Sequence, residues 1–96
     1  MSRGALYRFR LYVAGDAQNS AQAIANLEAL CREHLPDRHT IEIVDVFRQP
    51  ERALAESIFM TPTLVKLLPL PVRTIVGTLS QTQPVLHALG LGTLSV

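Results

Sequence analysis

Apolar and polar side chains alternate near the start of the chain and then change period. From Leu6 to Val13, apolar residues alternate with arginine and tyrosine, the period of two typical of a β-strand. After a break at Ala14–Asp16, apolar residues recur at spacings of three and four, which predicts an amphipathic helix. Asn19 or Ser20 is the expected N-cap, and Pro36 ends the helix.

A second strand is predicted after this helix. Residues Ile41 to Phe47 are rich in β-branched side chains. Their nearly continuous apolar character is typical of a parallel strand that is buried on both faces. Two strands joined by a crossover of this length predict a right-handed βαβ unit.

The second half of the chain carries weaker local signals. A helix is expected from Pro50 to Ile58, and a short one from Pro84 to Leu89 with Gly90 as its C-cap. Thr63 to Leu68 and Val72 to Val76 read as two strands. The first of these segments fits a helix about as well, because short apolar runs do not distinguish the two.

Length and charge narrow the possible functions. The 96 residues form one domain, with an expected core from about 6 to 91, and the net charge is +1. This balance disfavours nucleic acid as a partner, and the longest apolar run is too short to span a membrane, so we expect a cytoplasmic protein. All eight acidic residues lie at or before Glu56, and beyond it only Lys66 and Arg73 are charged. Either this half forms the interface of a homo-oligomer, a tetramer or dimer, or it is a strongly buried half of the core.

The element order βαβ-α-ββ-α is that of a thioredoxin-like α/β domain. Met60–Thr63 supports this fold, which places a proline, usually in cis, immediately before its third strand. The loop that carries the reactive thiolate in redox members of the fold, Ala14–Ser20, has no cysteine. The single cysteine, Cys31, is expected to be a buried hydrophobe. Cys31 and His34 are an incomplete set for zinc, so we expect no metal site. The sequence has no G-x-S-x-G, P-loop or paired-carboxylate pattern, so we expect no cofactor and no catalytic residue.

Taken in order, the motifs of this chain resemble the KaiB family of circadian-clock proteins over about residues 9–91. The segments that carry the resemblance are Leu11–Gly15, Asn19–Ser20, Ile43–Val46, Pro50, Thr61–Leu64 with Lys66, Pro69–Arg73 and Ile75–Gly77.

This resemblance implies a binding protein and not an enzyme. KaiB-like proteins dock on the ring-shaped ATPase KaiC and modulate its phosphorylation cycle; KaiA and a clock-output histidine kinase are further implied partners. The family is metamorphic, with an alternative, usually tetrameric ground-state topology and a thioredoxin-like state that binds KaiC. Lys66 and Arg73 are the partner-contact residues that the resemblance implies. The residues it implies for the switch between states are Pro62, Pro69, Pro71, Gly77 and Thr78, the last replacing the family's Asp.

Two alternatives stay open. The chain could be a thioredoxin-like stress-response adaptor or sensor module, or a redox protein that uses Cys31 alone. For Lys66, the alternative to a partner contact is a lysine at a strand edge that extends its amine into solvent.

Overall fold

The computed structural model describes residues 5–91, which fold into a mixed sheet flanked by helices. The elements follow in the order β1 (Tyr7–Val13), α1 (Gln18–His34), β2 (His39–Asp45), α2 (Pro50–Ala55), β3 (Thr63–Leu68), β4 (Arg73–Val76) and α3 (Thr82–Ala88). The four strands are arranged β2-β1-β3-β4.

Strand pairing confirms the predicted topology. β1 and β2 run parallel, from Tyr7 opposite His39 to Val13 opposite Asp45. β3 is antiparallel to β1, and β4 is antiparallel to β3. The segment that local pattern left undecided is therefore an interior strand, because β3 has a partner on each side. The α/β fold class is that of the thioredoxin-like domain expected from the element order.

The two faces of the sheet bury two apolar clusters. Alternate residues of β1, including Phe9 and Leu11, are fully buried with Leu27 of α1 and Leu89, which follows α3. The opposite face of β1 contributes Tyr12, which packs with residues of β2, β3 and the short helix α2. The period of two in the sequence thus divides β1 between both clusters.

The predicted cap of α1 was wrong. The helix begins at Gln18 with Ala17 in the N-cap position, and no side chain of residues 5–91 caps it. Ser20 lies within the first turn and is fully buried. Its Oγ accepts a hydrogen bond from the Ala14 N–H at 3.1 Å, so this hydroxyl holds the preceding loop rather than the end of the helix.

The expectation that the second strand is buried on both faces was also wrong. β2 lies at an edge of the sheet, only Val44 of its residues is buried, and Ile43 is 42% exposed. Helix boundaries differ as well, because α2 ends at Ala55 instead of Ile58 and α3 begins at Thr82 instead of Pro84. Gly90 follows α3 at φ 78°, a backbone angle that glycine adopts without strain.

Candidate partner-binding site

Lys66 lies near the middle of β3 and is largely buried. Its exposed fraction is 4%, and its Nζ lies 5.9 Å from the centroid of the Tyr7 ring, within the range of a cation–π contact. Within residues 5–91, Lys66 forms no ion pair. Burial lowers the pKa of its ammonium group, and the nearby charge of Arg73 lowers it further. Because β3 is an interior strand, the strand-edge interpretation of Lys66 does not hold.

Arg73 is the exposed member of this pair of cations. It begins β4, directly opposite Lys66 in the strand register, so the two side chains share one face of the sheet. No acidic residue of the described chain lies within ion-pair distance of Arg73. The structure thus brings together the two residues expected to contact a partner, one at the surface and one beneath it.

The connection between β3 and β4 presents apolar surface beside these cations. Leu70 is 72% exposed and Val72 is 51% exposed. Pro69 and Pro71 flank Leu70, and both follow cis peptide bonds. An exposed cation bordered by exposed apolar side chains is a surface suited to a protein partner.

The remaining predicted residues lie at the opposite end of the β3–β4 pair. Pro62 follows a cis peptide bond and is buried, and its carbonyl accepts a hydrogen bond from the Gly77 N–H at 2.9 Å. Gly77 has φ 123°, which side chains disfavour. The next residue, Thr78, accepts a hydrogen bond at its carbonyl from the Asn26 amide of α1 at 2.8 Å. The expected switch residues therefore form two separate groups, with Pro69 and Pro71 near Lys66 and the others here.

Asn26 was missed by the sequence analysis. Its side chain joins the N-terminal half to the loop between β4 and α3, a link across 52 positions of sequence. The sequence did offer one signal for this contact, because Asn26 is a polar residue at the border of the apolar face of α1.

A second missed feature is an ionic clamp on the other face of the sheet. Glu42 of β2 accepts hydrogen bonds from Arg10 Nε and Arg52 Nη1, each at 2.8 Å. These bonds to Arg52 and Arg10 lower the pKa of Glu42 to about 2. The clamp connects β1, β2 and α2, and it lies apart from the Lys66–Arg73 pair.

The chain's cysteine is poorly placed for redox chemistry. Cys31 is fully buried in the cluster beneath α1, and burial raises the pKa of its thiol to about 11. Thiolate, not thiol, is the reactive form. The loop Ala14–Ala17, which precedes α1, holds no cysteine. The expected role of Cys31 as a buried hydrophobe fits this environment.

Over residues 5–91 there is no group of three or more acidic, histidine or cysteine side chains arranged to hold a metal ion. In the same span no helix is both long and apolar enough to cross a membrane.

Sequence comparison finds relatives over most of the chain. Residues 10–91 match the KaiB domain family. The circadian clock protein KaiB3 of a Synechocystis species is 48% identical over 82 residues, covering 85% of this chain and 80% of the relative. The circadian clock oscillator protein KaiB of Synechococcus elongatus is 40% identical over 91 residues, covering 95% of this chain and 89% of the relative.

Solved structures agree on the fold. The N-terminal domain of Synechococcus elongatus SasA has a TM-score of 0.72 at 15% identity and covers all of this chain and 93% of that domain. Chloroplastic thioredoxin z has a TM-score of 0.74 at 18% identity and covers 90% of this chain and 78% of its own. Identities this low show a shared thioredoxin-like fold alone, whereas the sequence matches reach further: this chain belongs to the KaiB family.

Proposed function

We propose that this chain is a non-enzymatic circadian-clock adaptor that binds a KaiC-like ring ATPase and modulates its phosphorylation cycle. The observation that carries the proposal is the topology β2-β1-β3-β4 in a KaiB family member. The family resemblance implies that the thioredoxin-like arrangement is the one competent to bind the ATPase. The names of the relatives, clock protein and clock oscillator protein, support the same role.

Arg73 and Lys66 are proposed as the contact residues. Arg73 is exposed and can reach a partner carboxylate directly, whereas Lys66 is 4% exposed. Lys66 therefore contributes mainly through its charge beneath the surface. KaiA and a clock-output histidine kinase are further proposed partners.

A homo-oligomer, a tetramer or dimer, is the proposed state of the free chain. The exposed side chains of Phe59, Met60 and Leu70, which lie outside β4, supply apolar surface for it between residues 58 and 91. Sedimentation at tens of micromolar tests this proposal, and a monomer there contradicts it.

No observation favours the one-cysteine redox alternative, because Cys31 is buried and its thiol is held protonated. A stress-response adaptor of the same fold remains the second class of function. It requires the same protein-binding surface but predicts no complex with a KaiC-like ATPase.

Co-precipitation with the KaiC-like ATPase of the same organism tests the proposal. Arg73→Ala is expected to weaken capture of the ATPase about tenfold or more, as for loss of a charge-assisted contact. Arg32→Ala is the matched control, since it removes the same charge from an exposed position on α1. Equal capture by wild type and Arg73→Ala removes Arg73 from the site, and no capture by wild type contradicts the adaptor role.

A further inference from the structure

The two edges of the sheet differ in their side-chain contacts. The β2 edge carries Glu42, which is held by two arginines of neighbouring elements. Among the residues that the structure describes, β4, at the other edge, is hydrogen-bonded to β3 on one side only, and three of its four residues are exposed. An edge strand presents unpaired backbone N–H and C=O groups to any extended chain that reaches it.

Charge at the β4 edge has one sign. From Ser57 to Leu91 the formally charged residues are Lys66 and Arg73, and both are cationic. They are adjacent in register and share a face of the sheet, and within the described chain neither has an acidic partner. Arg73 at the surface, with the charge of Lys66 beneath it, has a carboxylate as its electrostatic complement.

A groove continues this surface toward α3. It has a volume of about 310 Å³ and is lined by residues that include Ile75, Gly77, Leu79, Pro84 and Val85. Because side chains alternate along a strand, Ile75 lies on the same face as Arg73 and two positions from it. A strand added beside β4 would set one side chain near Arg73 and the next on that face beside the groove. On the opposite face it would meet Thr74 and Val76.

We infer that the β4 edge binds an extended, acidic segment of a partner protein by strand addition. The segment carries a carboxylate opposite Arg73 and, two residues away on the same face, an apolar side chain at the groove. Main-chain hydrogen bonds to β4 supply affinity, and these two side chains supply specificity. This inference rests on the proposed function only because both treat the chain as a protein-binding module. Beyond that function, the inference specifies the chemistry of the partner segment.

Short peptides test the inference on the intact chain. The probe is the acetylated and amidated peptide Gly-Ser-Thr-Glu-Val-Ile-Thr-Ser-Gly, compared with the same peptide carrying glutamine for glutamate. Titration followed by amide NMR is expected to shift the signals of Arg73–Val76, with the glutamate peptide binding about three- to tenfold more tightly. Two further glutamate peptides carry N-methyl groups on alternate backbone nitrogens: the first peptide on the odd-numbered residues, the second on the even-numbered residues. One of them is expected to lose binding, because strand pairing needs half of these N–H groups.

A variant of Arg73 tests whether this side chain recognises the glutamate of the peptide. Arg73→Gln is expected to reduce the preference for glutamate while the glutamine peptide binds as before, because only the charge of the buried Lys66 is left. Arg32→Gln is expected to preserve the full preference. The inference is overturned if both peptides bind equally, if both methylated peptides still bind, or if the shifts centre on β2. It is also overturned if β4 signals move with protein concentration alone, since a second copy then occupies the edge. If the chain captures the ATPase but the peptides do not bind, the proposed function stands and the inference of strand addition is wrong. If the peptides bind but the ATPase is not captured, the inference of strand addition stands and the proposed function is wrong.

Discussion

Replacement of Cys31 by serine tests whether this side chain is a packing residue. The side chain of Cys31 is completely buried, with an exposed fraction of 0%. A hydroxyl without a good acceptor at such a site costs about 1–3 kcal/mol. For a domain of this size, each kcal/mol lowers Tm by roughly 4–8 °C. Cys31→Ala is the matched control, because it removes the sulfur without adding a polar group.

Three measurements follow from the burial of Cys31. Thermal unfolding is expected to rank the stabilities as wild type, then Cys31→Ala, then Cys31→Ser. A disulfide reagent is expected to label the native thiol far more slowly than the thiol in guanidinium chloride, because its pKa is about 11. Capture of the ATPase by either variant is expected to equal that of wild type.

Alkaline pH gives an independent check on the same residue. Burial raises the pKa of Cys31 from 9.0 to about 11, so the folded state holds this proton more tightly than the unfolded state. Its contribution is therefore complete below pH 9 and is lost as the pH rises toward 11, by about 2–3 kcal/mol. Cys31→Ala flattens this decline. A serine variant as stable as wild type, or a native thiol that reacts as fast as the unfolded one, would refute the reasoning.

Three further substitutions have defined outcomes. Glu42→Gln is expected to lower the free energy of unfolding by less than about 1 kcal/mol at neutral pH, because water screens this half-exposed ion pair. Denaturant unfolding should show this difference vanishing as the pH falls from 4.5 to about 2, because the carboxylate of the folded state becomes protonated over that range. Lys66→Met is expected to raise Tm while it weakens capture of the ATPase, because it removes a desolvated charge that has no anionic partner in the described chain; a lower Tm contradicts this account of Lys66. Asn26→Ala is expected to cost about 1 kcal/mol of unfolding free energy by freeing the Thr78 carbonyl, and hydrogen exchange should quicken in the loop that follows β4; unchanged exchange there means that Asn26 does not hold the loop.

The spacing of apolar residues correctly predicted β1 and α1, because the spacing in each reflects which of its faces are buried. β1 alternates because it lies between two clusters, and α1 has one apolar face because it covers one side of the sheet. The strand character of Thr63–Leu68 could not be predicted locally. It follows from pairing with β1 and β4, which are contacts between segments distant in sequence.

The errors have a common physical cause. Ser20 has the chemistry of a cap, but a loop N–H from Ala14 uses its hydroxyl instead. Ile41–Phe47 has the composition of a central strand, yet strand order places β2 at an edge, where Ile43 is 42% exposed. Strand order and loop closure are tertiary properties, and neither leaves a periodic signal in the sequence.

The geometry of the candidate site could not be predicted from the sequence. The family resemblance implies Lys66 and Arg73 as contact residues, which stays a prediction, and the register of β3 and β4 places them opposite each other. Burial of Lys66 beside the Tyr7 ring depends on where β1 begins in the assembled sheet, so no local pattern could have indicated it.

Formation of a complex with the KaiC-like ATPase is the measurement that tests the central claim most directly. The purified chain and the ATPase are mixed and resolved by size-exclusion chromatography with light scattering, beside each protein alone. The account predicts that the chain co-elutes with the ATPase ring at a larger mass than the ring alone, and that Arg73→Ala reduces the co-eluting fraction while Cys31→Ala does not. A chain that elutes at its own position at every ratio and incubation time contradicts the claim that it is a clock adaptor.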